Sequence, residues 1–393
     1  MMPVPNCRIN AMKSNANKLE WIQALRGIAA LMVVMVHSRF VLQGNDSYKA
    51  VADIVFFPMA MGVDLFFLIS GFLMVLTTSN FDGTSVYKKI FLIKRISRIW
   101  PAYAIISVLA VLLEHKGING FYQHDVLLSF LEGLLFIPHD PVSSPLYFMM
   151  LVNVAWTLCF EFYFYMIFAG SMFFGRYRYW AMAAWFAATL IIVPMLRSGF
   201  TMSLLSPDPI HWLRYANIVI CPIVWDFIFG MIAAWIYKSK LKINNSSIIY
   251  ACMAVIIGFM IVRWNEIGFI NFHGPAGWGA VLAVIFIGMV FLSKNGDIRV
   301  PAWTVWLGGI SYSLYLTHLY VFGFVVNTAA NLHIQPENST AYYLIARPVA
   351  SIVIAYVTYK IIEEPTSKWF QHLLTKLSIP SERVPSSTPP TSD

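Results

Sequence analysis

Apolar runs of near-bilayer length recur along this chain, at about 22–42, 56–78, 99–114, 147–173, 178–196, 215–237, 247–264, 276–293, 303–327 and 341–362. About 20 apolar residues in helical form cross a hydrocarbon core about 30 Å thick. The runs therefore predict an all-α, polytopic membrane protein with about ten transmembrane helices. The third run is short, with an unclear continuation through Gly117 and Gly120. The stretch 124–137 is half a span and reads as re-entrant or interfacial. Composition agrees: 59% of the 393 residues are hydrophobic and only 12% charged, against about 25% charged in a soluble domain.

Charge placement orients the spans. With the N-terminus inside, 20 of the 27 Lys and Arg residues fall in inside segments and 7 outside. The positive-inside rule thus predicts that both termini are cytoplasmic. The basic excess is explained by loops facing anionic lipid, so no nucleic-acid partner is expected. Residues 1–20 are polar and lack a small-residue cleavage site, so the first run is expected to be a retained span. The tail from Ile379, rich in Ser, Thr and Pro, is expected to be disordered. Cys7, Cys159, Cys221 and Cys252 are scattered, which indicates neither a disulfide framework nor a thiolate metal site.

Within the first run, Trp21 to Leu42, stand Arg26 and His37. Ionisable groups in a span face a protein interior or a water-filled cavity, because lipid exposure costs several kcal/mol. Eleven residues turn the helix about 20° past three full turns, so both side chains share a face, roughly 16 Å apart along the axis. That separation is comparable to the reach of a coenzyme A pantetheine arm. An arginine can hold phosphates at one end while a histidine works on an acyl group at the other.

The orientation also assigns depths. Arg26 falls near the cytoplasmic end of the first helix and His37 in its outer third. Asp64 is expected level with His37, Glu161 near the middle of the fourth helix, and His318 in the outer half of the ninth. His37 alone could be a core histidine. Beside a carboxylate it suits a catalytic base, which takes a hydroxyl proton while the acid fixes its tautomer. The basic segment Lys88 to Arg98 sets topology, but Arg95 and Arg98, three apart at a helix entry, also form a phosphate fork. Ser70-Gly71, following Asp64, reads as a helix-packing contact. Ser311, Tyr315 and His318 share a helix face and form either a polar seam or part of a site. His115, His124, His139, His211, His273 and His333, in expected outer loops, and His372 in the tail read as surface groups. They offer no metal-ligand spacing. The sequence has no phosphate-cradling Gly-Lys-Ser/Thr loop, dinucleotide glycine fingerprint, Gly-x-Ser-x-Gly elbow or His-Glu-x-x-His.

These motifs, in this order, resemble the acyltransferase-3 family of bacterial integral-membrane O-acyltransferases of about ten helices. They are Leu25-Arg26-Gly27-Ile28-Ala29-Ala30 with His37, Gly62-Val63-Asp64 through Ser70-Gly71, Arg95 with Arg98, Trp156 to Glu161 with Tyr163, Ser311 to His318, and Glu363-Glu364-Pro365. The resemblance covers about residues 20–370. Its opening, Ile22 to Gly27, is similar to the exopolysaccharide O-acetyltransferase branch. No hydrolase-like domain follows the last helix, as in stand-alone members. One departure is Phe160-Glu161-Phe162-Tyr163, where the family usually has Glu-Glu-Gln-Phe-Tyr, leaving a single acid.

The resemblance implies a transmembrane domain over 21–370 in a bacterial inner membrane, flanked by a cytoplasmic segment 1–20 and a tail 371–393. It implies transfer of acetyl from cytoplasmic acetyl-CoA, a substrate and not a bound cofactor, to a hydroxyl of a glycan or lipid-linked glycan at the outer side. Arg26, Arg95 and Arg98 would hold the CoA phosphates. His37 would serve as base or acetyl carrier with Asp64 orienting it, and Glu161 would assist. The competing expectations are an acyltransferase for a lipid or peptide hydroxyl, and a transporter, which the absence of two-fold hydropathy repeats disfavours.

Overall fold

A computed structural model describes residues 19–378 except 44–45, 116, 139, 142–147, 198, 205–209, 211–213, 268–272, 297 and 334–339. The expectations for residues 1–18 and for the tail beyond 378 lie outside the described residues, as do those for His139 and His211. Among the described residues the chain is helical, apart from a two-residue antiparallel pairing of Asp140–Pro141 with Phe148–Met149.

The elements that build the site are α1 (Glu20–Ser38), α2 (Gly62–Thr77), α3 (Ser85–Glu114), α4 (His124–Leu134) and α5 (Trp156–Ser171). They continue with α6 (Arg178–Ala187), α7 (Val224–Lys238), α8 (Ser246–Ile267) and α9 (Trp278–Asn295). The chain closes with α10 (Ala302–Gly309), α11 (Ser311–Asn331), α12 (Thr340–Thr358) and α13 (Glu364–Ser378).

Six helical stretches are long and apolar enough to cross a membrane, and the α10–α11 pair, bent by 73°, makes a seventh. Each of the ten apolar runs contains helix, but length and composition alone do not reach ten crossings. The runs at 147–173 and 178–196 belong to one helical stretch, Asn153–Arg197, which turns at Gly175 with φ 55°. The run at 215–237 is divided between Arg214–Val219 and the 15-residue α7.

One expectation is corrected by α3. The basic segment is not a loop before a short helix but the opening turns of the 30-residue α3. Thr84 caps that helix, its hydroxyl accepting from the Tyr87 N–H at 3.1 Å, so the cationic turns are helical from the start. The stretch 124–137 forms a helix over His124–Leu134. Helix α4 doubles back along α3 until Trp100 Nε1 donates to the Leu134 carbonyl at 2.9 Å. There Tyr103 stacks on Phe136 at 5.3 Å, and Arg214 pairs with Glu132.

Close backbone approaches set the bundle. A Cβ on Gly71 would meet the Phe227 carbonyl, and one on Gly230 would meet the Leu68 carbonyl, so α2 and α7 cross at a contact that only glycines permit. The Ser70-Gly71 reading as a packing contact holds at Gly71. Gly27 likewise faces the backbone of Gly308 and Thr304 at 2.6 Å, which lays α1 on α10. Since α11 starts just beyond the 73° bend, its first residue, Ser311, arrives beside Arg26. Aromatic rings fill the space between, among them Phe164 stacked on Phe227 at 3.8 Å.

Candidate active site

One cavity opens between α1, α2, α3, α5 and α11. Arg26, Arg95, Arg98, Glu161, Ser311 and Tyr315 all line it. Six of the nine residues singled out from sequence therefore meet in one space, from four helices. The other three, His37, Asp64 and His318, do not line it.

At the arginine end the guanidinium groups are held by neutral partners. Arg26 donates to Gln23 Oε1 at 3.1 Å and to Ser311 Oγ at 3.2 Å. Arg95 donates to Thr77 Oγ1 at 2.6 Å. Arg98 makes no hydrogen bond among the described residues, and none of the three forms an ion pair with a carboxylate there. A guanidinium has five N–H donors, so most donors at this end are left for an anion. Two carboxylates stand near without pairing. Glu161 accepts from the Tyr165 hydroxyl, and Glu363 accepts from Ser313 Oγ at 2.5 Å and Ser313 N at 3.2 Å. Both act electrostatically on Arg26 and Arg98.

The opposite end is closed by hydroxyls and rings. Tyr315 OH donates to the Val154 carbonyl at 3.0 Å and accepts from Thr157 Oγ1 at 2.9 Å, with Phe66 edge-on to its ring at 5.9 Å. The Tyr315 ring also lies 6.2 Å from that of His318, centroid to centroid.

Just past this point His37 and His318 touch. His318 Nδ1 faces the carbonyls of Tyr315 at 2.8 Å and Leu314 at 3.2 Å, so it carries the ring proton and leaves Nε2 as an acceptor. His37 Nδ1 faces the Val33 carbonyl at 2.9 Å and His318 Nε2 at 3.1 Å. Both are acceptors, so this nitrogen too carries the proton. The reactive lone pair of His37 is therefore on Nε2, which has no hydrogen bond among the described residues.

Asp64 is not where the sequence placed it. Gly62 packs against the Ala29 carbonyl and Val33, so Asp64 is level with the middle of α1. The helical stretch begins at Lys49, not at residue 56, and Phe57 instead meets the end of α1, under the Arg39 guanidinium at 4.9 Å. The Asp64 carboxylate is fully buried. It accepts from His273 Nδ1 at 2.7 Å and Gly274 N at 2.6 Å, and it makes no hydrogen bond with His37. His273 is corrected with it: this loop histidine is 9% exposed, not a surface group. Its ring lies tilted against Trp156 at 6.0 Å and edge-on to Trp278 at 5.3 Å. Its spacing from Asp64, 209 residues, carried no linear signal. His124, His333 and His372 are exposed as expected. No group of three or more potential metal ligands occurs among the described residues.

Residues 19–360 match the model of the acyltransferase-3 family, an acyltransferase domain. The chain belongs to that family. It is 29% identical over 314 residues to the exopolysaccharide production protein ExoZ of Rhizobium meliloti (strain 1021), covering 78% of this chain and 89% of that protein. Nodulation protein 10 of Rhizobium leguminosarum bv. viciae is 24% identical, over 88% and 92% of the two chains. The putative peptidoglycan O-acetyltransferase YrhL of Bacillus subtilis (strain 168) is 23% identical, over 88% of this chain and 54% of its own. No solved structure matches.

Proposed function

We propose that this protein is a bacterial inner-membrane O-acyltransferase that moves acetyl from acetyl-CoA to a hydroxyl of an exported or surface polysaccharide. The observation that carries the reading is the single cavity with three arginines at one end and the His37–His318 pair just beyond the other. Family membership supports acyl transfer. The names of the ExoZ and YrhL relatives, exopolysaccharide production and peptidoglycan O-acetylation, support a glycan acceptor.

In this reading Arg26, Arg95 and Arg98 hold the CoA phosphates, the arginines because a planar fork pairs with phosphate better than a point charge. The pantetheine arm lies along the cavity and brings the thioester toward Tyr315 and Thr157. His37 Nε2 takes either the acceptor proton or the acetyl group, and His318 holds its tautomer. The charge bias of the loops supports an arginine end, with Thr77 and Arg95, on the cytoplasmic side and histidines toward the outer side. Ten crossings and cytoplasmic termini belong to the same reading.

Mass spectrometry of the host's surface polysaccharides with and without the gene tests the function. Loss of acetyl esters on deletion, restored by the wild-type gene, is the expected result. An unchanged acetylation pattern overturns it.

A further inference from the structure

We propose that His273, oriented by Asp64, is the general base for the acceptor hydroxyl, while His37 carries the acetyl group. The proposal rests on the acetyl-transfer reading above and assigns each histidine a step in it.

The assignment follows from counting protons. Asp64 can only accept when ionised, so the 2.7 Å contact fixes the His273 proton on Nδ1 and leaves Nε2 as a lone pair. Gly274 N anchors the other carboxylate oxygen at 2.6 Å, so the acid cannot swing away. A buried carboxylate on Nδ1 orients an imidazole and stabilises the imidazolium that forms when Nε2 takes a proton. His37 has no such acid; its Nδ1 proton points at His318 Nε2 and the Val33 carbonyl. Two unprotonated Nε2 atoms thus differ in kind. His273 is built to accept a proton, whereas His37 is built to use its lone pair and pass charge to His318.

The two sites are joined by packed rings: His273 lies edge-on to Trp278 at 5.3 Å, Trp278 to Phe57 at 5.8 Å, and Phe57 lies under Arg39, two residues past His37, at 4.9 Å. His273 also leans on Trp156, the residue before Thr157, which lines the closed end of the cavity. Its side chain remains 10% exposed.

In the first step His37 Nε2 attacks the thioester carbon. The C–S bond breaks, and the thiolate leaves with the electron pair and takes a proton from water on the donor side. The Nδ1 proton of the acetylated ring passes to His318 Nε2. In the second step His273 Nε2 takes the acceptor O–H proton as the oxygen attacks the acetyl carbon. The C–N bond breaks, its electron pair returns to His37, and the proton on His318 goes back to His37 Nδ1. His273 then gives its proton to water on the acceptor side.

Isotope exchange between acetyl-CoA and labelled CoA, without acceptor, reports the first step alone, and acetyl transfer to glycan reports both. In His273→Asn the amide still donates to Asp64 but offers no base. The full-length protein carrying it should keep exchange within about twofold of wild type and lose transfer at least 100-fold, in line with removal of a general base. Asp64→Asn, a positioning change, should show the same split, and His37→Ala should lose both activities. Retained transfer in His273→Asn overturns the proposal. So does loss of both activities in it, or wild-type transfer without wild-type exchange. Failure of the wild type to acetylate any glycan from acetyl-CoA would instead overturn the function proposed above.

Discussion

His37 Nδ1 donates to His318 Nε2 across 3.1 Å, and His318 in turn is fixed by the Tyr315 carbonyl at 2.8 Å. The order of these bonds decides which nitrogen of His37 can react, and it follows from three acceptors rather than from a charge partner. The part of the His318 role that holds this tautomer can be taken over by another acceptor, even one that cannot take a proton.

His318→Gln, which retains an acceptor, should therefore keep more transfer activity than His318→Ala. The alanine variant should lose about tenfold or more, because an imidazole free to switch tautomers is a poor base or nucleophile. Acetyl-CoA affinity should be unchanged in both. Equal activity of the two variants would mean that His318 only packs.

His37→Ala should abolish transfer while acetyl-CoA binding and expression persist, as it lies beyond the cavity that the arginines line. Without the imidazole there is no group at this position to take the acceptor proton or the acetyl, so transfer should fall at least about 100-fold. Isothermal titration in detergent separates binding from turnover. Loss of folding alone would return His37 to a core role.

Arg95→Ala with Arg98→Ala should weaken acetyl-CoA binding at least tenfold, since each charge-assisted hydrogen bond contributes about 1.5–3 kcal/mol. The effect on acceptor affinity should be small. Lysine at both positions should restore binding only in part. Unaltered affinity in the double alanine variant would reduce the pair to setting topology.

Gly230→Val should lower thermal stability in detergent, because its side chain would enter the Leu68 carbonyl at the α2–α7 crossing. Overpacking of this kind costs about 1–3 kcal/mol, read as a fall in melting temperature. An unshifted melt would mean that the two helices can part without loss.

Much of this was legible in the linear sequence because local periodicity governs it. Arg26 and His37 share a face by helix geometry, and Arg95, Arg98, Ser311 and Tyr315 line one cavity as their spacings allow. Asp64 was misplaced because its depth depends on where the helical stretch begins. That start, at Lys49, includes the polar opening of a helix whose apolar run starts later. His273 was passed over because a loop histidine becomes buried only through a contact 209 residues away in the chain. That 124–137 returns alongside α3 was not legible in the sequence, because it depends on the Trp100–Leu134 hydrogen bond between two separate helices.

Sidedness tests the central claim most directly. The protein is placed in sealed vesicles of known orientation, with the Arg95 and Arg98 face toward the medium and polysaccharide enclosed in the lumen. Acetyl-CoA is then added outside. Acetyl esters should accumulate on the enclosed polysaccharide while CoA stays in the medium. Acetylation that requires donor and polysaccharide in the same compartment would contradict a cavity that carries the acyl group from the arginines to the histidines.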